Sequence, residues 1–179
     1  MEHAPSAARF AAPSNLPRNA TASGAGSGAN SGDRGGDRNA AGGPGARIEL
    51  GYAGDVAPGL AWQLVQSGQA TLVDVRTAEE LHYVGRVPGA LHIEWAKGRE
   101  QVRNDKFLEQ LAQAVPPERQ VLFLCRSGAR SVSAAKAATG AGYRSAWNVL
   151  QGFEGPLDTQ KQRGRIGGWR AAGLPWQQS

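Results

Sequence analysis

The sequence contains a single cysteine, Cys125, among its 179 residues. One cysteine provides no internal disulfide, no zinc site built from several cysteines and no Cys-x-x-Cys redox pair. Any thiol chemistry must therefore use this one sulfur or take a second one from another molecule. Because a free thiol is typical of a reducing compartment, we expect a cytoplasmic protein.

Long apolar runs and concentrated blocks of charge are also missing. No stretch approaches the roughly 18–20 apolar residues of a membrane span, and no charged start is followed by an apolar segment. We therefore expect neither a membrane contact nor a secretory signal. The formal net charge of +5 is spread thinly along the chain. Without a basic block that contains aromatic residues, we expect no nucleic-acid partner.

Residues 1–46 consist mainly of Ala, Gly, Ser, Asn and Pro. Such a composition buries too little apolar surface to offset the loss of chain entropy on folding. We therefore predict a disordered tail over residues 1–46 and one folded domain over residues 47–179. The tail is poor in acidic residues near its start, so organelle targeting is the alternative to a cytoplasmic location.

Apolar runs and helical patterns alternate along the folded part. Strands are predicted at residues 71–75, 91–93, 121–124 and 146–150. Helices are predicted at residues 56–66, with Asp55 as the N-cap, and at residues 78–84, 104–114 and 131–138. This alternation predicts an α/β domain whose mostly parallel sheet is covered by helices on both faces.

Cys125 lies where an apolar strand turns into a helix, in the segment 125–130 (CRSGAR). Ligands usually bind at the carboxyl ends of parallel strands, and backbone N–H groups at a helix N-terminus favour an anion. A cysteine after an apolar strand is more often a small buried hydrophobe. Arg126 and Arg130, together with the flexible Gly128, favour a reactive thiolate instead.

The remaining candidates point to structural roles. His92 is the one histidine in a position to act as a base for Cys125, and we interpret it as structural. Arg76 follows the strand at 71–75, and we expect it to form an ion pair with Glu79 or Glu80. No metal-ligand spacing and no phosphate-binding or dinucleotide-binding glycine motif is present.

Five segments of the chain resemble the single-domain rhodanese family of sulfurtransferases, over about residues 48–176. They occur in the family's order, at residues 72–76 (LVDVR), 85–93 (GRVPGALHI), 125–131 (CRSGARS), 148–153 (NVLQGF) and 168–175 (GWRAAGLP). Two features depart from the family pattern. Arg86 replaces a common histidine, and the segment 154–167 is longer than the usual ending.

The resemblance implies a rhodanese-like fold with a central parallel sheet of about five strands flanked by helices. It also implies transfer of a sulfane sulfur from a small anionic donor such as thiosulfate to cyanide or a thiol, through a persulfide on Cys125. A protein persulfide is a further expected partner. No metal or organic cofactor is implied. The implied donor-binding residues follow the cysteine: Arg126, Ser127, Gly128, Ala129 and Arg130.

Three alternatives remain open at this stage. Cysteine phosphatases also place a thiolate and an arginine around an anion, but their loop has one residue more than the four between Cys125 and Arg130. The shorter loop favours a sulfur atom over a phosphate. An arsenate reductase normally needs a second cysteine to resolve its intermediate. A non-catalytic rhodanese-like binding module often lacks the cysteine that this chain keeps.

Overall fold

The computed structural model describes residues 50–178. The predicted disordered tail over residues 1–46 lies outside the described residues, so both the tail and the start of the domain at residue 47 stay predictions. Within the described part, no helix combines the length and the apolar character needed to cross a membrane.

Five strands form a parallel sheet with the order β1-β7-β6-β2-β3. A separate antiparallel hairpin consists of β4 and β5. The strands are β1 (Gly54–Val56), β2 (Ala70–Asp74), β3 (Leu91–His92), β4 (Ala96–Lys97), β5 (Val102–Arg103), β6 (Gln120–Leu124) and β7 (Ala146–Val149). The helices are α1 (Pro58–Gln66), α2 (Ala78–Val84), α3 (Phe107–Ala114), α4 (Ala129–Gly140) and α5 (Gly168–Ala171).

The sheet is buried on both faces, which explains its continuous apolar strands. Val121 and Phe123 of β6 belong to the core that includes residues of α3 and α4. Leu122 and Leu124 belong to a second core that includes residues of α1 and α5. The predicted α/β architecture, with a five-stranded parallel sheet and helices on both faces, is confirmed.

The predicted role of Asp55 as a helix cap is wrong. Asp55 lies within the edge strand β1, and α1 begins only at Pro58, after Ala57, with no side-chain cap. Proline is well suited to the first turn of a helix, because its missing N–H would have no partner there. The carboxylate of Asp55 instead accepts a hydrogen bond from Asn148 on the neighbouring strand.

The segment before α3 also differs from the prediction. The helix expected over residues 104–114 begins at Phe107, because Asn104 is held outside it. Its side-chain amide donates to the carbonyl oxygen of Glu94 at 2.8 Å and to the side chain of Gln110 at 2.9 Å. This position ties α3 to the hairpin of β4 and β5, which the sequence pattern does not predict.

The C-terminal part packs on the rest of the domain through two buried aromatic residues. Phe153 and Trp169 are fully buried in the second core, and Trp169 makes an edge contact with Trp62 at 5.8 Å between ring centroids. Ile166, in contrast, is 59% exposed. The long segment between Glu154 and Gly167 forms a closed loop, in which the Gly164 N–H donates to the Glu154 carbonyl at 2.6 Å.

Candidate active site

Cys125 follows the last residue of β6, next to the centre of the sheet, and only 1% of its surface is exposed. It lies in a cavity of about 400 Å³ at the carboxyl edge of the parallel strands. The cavity is lined by Glu80, Arg99, Gln101, Cys125, Arg126, Ser127, Ala129 and Arg130. The structure therefore brings the six predicted site residues together, with Gly128 buried beside the sulfur.

Gly128 shapes the turn between β6 and α4. Its φ of 106° is a conformation that residues with a side chain rarely adopt, and it places Gly128 at the N-cap of α4. In this conformation its backbone N–H donates to the Cys125 sulfur at 3.1 Å. The sulfur therefore receives a backbone donor at the positive end of a helix, which favours negative charge there.

The segment after β7 holds the other side of the loop. The N–H groups of Phe153 and Glu154 donate to the carbonyl oxygens of Cys125 at 2.7 Å and of Arg126 at 2.9 Å. In a planar trans peptide the C=O and N–H point in opposite directions. With both carbonyls facing residues 153–154, the N–H groups of Arg126 and Ser127 face the opposite side of the loop.

Gly152 allows this close approach. Its φ is 62°, and a Cβ placed on it would lie only 2.4 Å from the Cys125 carbonyl oxygen and 2.7 Å from the Arg126 carbonyl carbon. Both contacts are with backbone, which has little freedom to move. The segment 148–153, one of the five family-like segments, therefore braces the loop that carries Cys125.

Arg130 is engaged by Glu80 of α2. Its two terminal nitrogens each donate to a different oxygen of the Glu80 carboxylate at 2.7 Å, and one also donates to Gln101 at 3.2 Å. Such a two-point pair has a fixed orientation. Glu80 and Gln101 are site residues that sequence reasoning missed. The available signal for Glu80 was the capping box that it forms with Thr77, three residues earlier.

This ion pair fixes the charge state of both partners. Burial raises the pKa of the Glu80 carboxyl, but the hydrogen bonds from Arg130 and the Thr77 N–H, together with the charge of Arg130, lower it overall. Burial lowers the pKa of the Arg130 guanidinium, but the hydrogen bond and charge of Glu80 and the charge of Cys125 raise it overall. Both groups are therefore charged at neutral pH.

Two other arginines at the cavity are unengaged. Within residues 50–178, the guanidinium groups of Arg99 and Arg126 have no hydrogen-bond or ion-pair partner, and both residues are exposed. Arg99 lies in the turn between β4 and β5, a hairpin that the sequence pattern did not predict. These two guanidinium groups are therefore available to bind an anionic molecule in the cavity.

The expected pairing of Arg76 with Glu79 or Glu80 is wrong. Arg76 is fully buried and binds Asp74 instead, with 2.6 Å between its terminal nitrogen and a carboxylate oxygen. Asp74 is the last residue of β2 and Arg76 follows it by two residues, so this pair forms locally, while Glu80 pairs with Arg130. His92 lies outside the lining of the cavity, and its Nε2 is 2.8 Å from the Arg76 carbonyl oxygen.

The comparisons with known proteins agree with this geometry. Residues 57–157 match the family model of the rhodanese-like domain. An uncharacterized protein of Rickettsia rickettsii is 35% identical over 120 residues, which cover 64% of this chain and 88% of that protein. Thiosulfate sulfurtransferase 18 of Arabidopsis thaliana is 36% identical over 97 residues, covering 50% of this chain and 68% of that protein.

Among solved structures, the crystal structure of Rv0390 from M. tuberculosis superimposes with a TM-score of 0.65 at 46% sequence identity. The match covers 72% of this chain and 99% of the mycobacterial chain. The family model spans more than half of this chain, and the structural match includes the domain almost in full. The chain therefore belongs to the rhodanese-like domain family.

Proposed function

We propose that this protein is a sulfurtransferase that carries a sulfane sulfur as a persulfide on Cys125. The donor is a small sulfur anion of the thiosulfate type, and the acceptor is cyanide or a thiol. One observation carries the proposal. A buried cysteine sulfur receives a backbone N–H at 3.1 Å inside a four-residue loop, in a cavity with two unengaged arginines.

The first step loads the sulfur. The Cys125 thiolate attacks the outer sulfur of thiosulfate, and a new S–S bond forms as the original S–S bond breaks. The electron pair of that bond leaves with sulfite. Arg99 and Arg126 neutralise the two negative charges of the donor and of the departing sulfite. The negative outer sulfur of the persulfide then occupies the loop, where backbone N–H groups stabilise it.

The second step returns the cysteine. A cyanide ion or a thiolate attacks the outer sulfur, and the bond between the two persulfide sulfurs breaks. The electron pair stays on Cys125, which becomes a thiolate again, and the product is thiocyanate or a new persulfide. A protein thiol or persulfide fits the same chemistry as a partner, since only its terminal sulfur must reach the cavity.

In this proposal Arg130 mainly holds the elements around the cavity in place and contributes less to direct binding of the donor. Two of its N–H groups are already directed at Glu80, so its direct contribution to the donor is smaller than that of Arg126. It connects α4, α2 and the hairpin, and it adds positive potential beside Cys125. This assigns the direct binding of the anion to Arg126 and Arg99, together with Ser127 and the backbone of Gly128 and Ala129.

The test is to incubate the purified protein with thiosulfate and to measure its intact mass. We expect a gain of one sulfur atom that is removed by cyanide and absent from Cys125→Ala. A protein that gains no sulfur but hydrolyses an aryl phosphate would instead be a phosphatase. A protein that does neither, while Cys125 remains reduced and accessible to alkylation, would be a binding module.

A further inference from the structure

A chain of polar side chains connects the Cys125 sulfur with the surface of the sheet edge. The Ser131 hydroxyl oxygen lies 3.2 Å from the sulfur and 2.6 Å from the side-chain oxygen of Asn148. The Asn148 amide donates to the Asp55 carboxylate at 2.8 Å, and the Tyr52 hydroxyl donates to the same carboxylate oxygen at 3.0 Å. Ser131 and Asn148 are buried, whereas Asp55 is exposed.

The Ser131 hydroxyl has one hydrogen for three acceptors. These are the Cys125 sulfur, the Asn148 oxygen and the Gly128 carbonyl oxygen, which is 3.0 Å away. Two oxygens at 2.6 Å are at hydrogen-bond distance and too close to face each other with lone pairs alone. The hydrogen therefore lies between Ser131 and Asn148, and the hydroxyl presents a lone pair to the sulfur.

Asp55 determines which end of the Asn148 amide faces Ser131. An ionised carboxylate only accepts hydrogen bonds, so the amide must turn its nitrogen towards Asp55 and its oxygen towards Ser131. Burial, followed by the hydrogen bond and the charge of Asp55, raises the pKa of Tyr52 to about 12, so Tyr52 stays a donor. The pairing is built into the fold, since Asp55 and Asn148 are register partners of β1 and β7.

We propose that Asp55 and Asn148 are positioning residues, which hold the Ser131 hydroxyl as a hydrogen-bond acceptor towards the Cys125 sulfur. The Ser131 contact suits an uncharged sulfur, whereas the Gly128 N–H favours a negatively charged one. A thiol donates its hydrogen to Ser131, and the inner sulfur of a persulfide carries no charge. A thiolate, in contrast, receives no hydrogen bond from Ser131, because the Ser131 hydroxyl already donates to Asn148. The inference rests on the proposed role of Cys125 as the sulfur carrier, because the arrangement raises the free energy of the thiolate relative to the persulfide and so favours loading.

The test compares the rate of Cys125 alkylation by iodoacetamide across pH in single and double variants. Asp55→Asn replaces the acceptor-only carboxylate with an amide that can also donate, so the Asn148 amide can take either orientation. In the turned orientation Asn148 donates to Ser131, and the Ser131 hydrogen is free to face the sulfur. We expect the midpoint of the alkylation profile to fall by about one pH unit, the effect of one hydrogen bond to a charged group. Tyr52→Phe is the matched control, because it keeps the carboxylate, and its midpoint should equal that of the wild type.

The Ser131→Ala background separates the hydrogen-bond chain from simple charge. Asp55→Asn also removes a negative charge, which would ease thiolate formation without any help from Ser131. If the proposal is right, Asp55→Asn produces a clearly smaller shift when Ser131 is alanine, because only the effect of the lost charge remains. The charged groups that line the cavity are the same in all these variants: Glu80, Arg99, Arg126 and Arg130.

Two results would overturn the proposal. One is a shift of the same size in both backgrounds, which would assign the effect to the Asp55 charge alone. The other is an unchanged midpoint in a folded Asp55→Asn protein, as judged by circular dichroism. Alkylation needs no sulfur donor, so a protein that shows the expected shift but gains no sulfur from thiosulfate would contradict the proposed function and leave the positioning chain intact.

Discussion

Replacing Gly152 with alanine tests how the cysteine loop is held. The new Cβ would lie 2.4 Å from the Cys125 carbonyl oxygen, and it must move beyond 3.0 Å to reach a contact that real Cβ atoms make. The φ of 62° adds a left-handed conformation that costs an alanine about 1–2 kcal/mol. The shift also weakens the two hydrogen bonds from Phe153 and Glu154, each worth about 1 kcal/mol.

We therefore expect Gly152→Ala to lower the free energy of unfolding by about 3–4 kcal/mol. Urea unfolding followed by circular dichroism measures this loss. Gly173→Ala is the matched control, because Gly173 has a similar φ of 66° and no atom within 4 Å of its would-be Cβ. The free energy of unfolding of this control should fall only by the cost of the left-handed conformation, about 1–2 kcal/mol.

Sulfur loading provides the second readout of Gly152→Ala. If the segment after β7 braces the loop, the folded fraction of the variant should load sulfur from thiosulfate more slowly, while Gly173→Ala should load it at the wild-type rate. Equal stability of the two alanine variants, together with equal loading rates, would refute the bracing role of Gly152.

Three further outcomes follow from the charges of the site. Arg126→Ala should raise the KM for thiosulfate about tenfold with little loss of stability, because the exposed side chain loses only a charge-assisted hydrogen bond to the donor. Arg99→Ala should act in the same direction, and an unchanged KM in both variants would contradict their role. Glu80→Gln should flatten the acid dependence of stability. The pKa of Glu80 lies below its ordinary value of 4.5, so the ion pair with Arg130 stabilises the fold above pH 4.5 and is lost as the pH falls through the lower folded value. Urea midpoints between neutral and acidic pH would show this, and equal slopes for wild type and variant would contradict it.

The parts of the fold that were predictable are those in which local sequence and tertiary environment agree. The strand before Cys125 is apolar throughout because both faces of the sheet are covered, and the helix after it is rich in alanine. The helix at Ala78–Val84 was predicted with its correct bounds, since Thr77 and Gly85 mark its ends. The position of Cys125 at the carboxyl edge of the sheet followed from these two elements.

The missed features depend on contacts between distant parts of the chain. β1 has only three residues and contains a glycine and an aspartate, so its sequence pattern does not predict a strand. Its identity comes from pairing with β7, more than 90 residues later. The partner of Arg130 was likewise unpredictable from its neighbours, because Glu80 is 50 residues away in sequence. The two side chains come close because β2 and β6, the strands that precede α2 and α4, are neighbours in the sheet.

The most direct test of the central claim is the stoichiometry of a single turnover. The protein is loaded with thiosulfate, freed of excess donor by gel filtration, and treated with cyanide, and the thiocyanate released is measured per chain. Cys125→Ser serves as the control. We expect close to one thiocyanate per wild-type chain and none from the variant. Equal release from both proteins, or none from a wild-type protein whose Cys125 is reduced, would contradict the persulfide account.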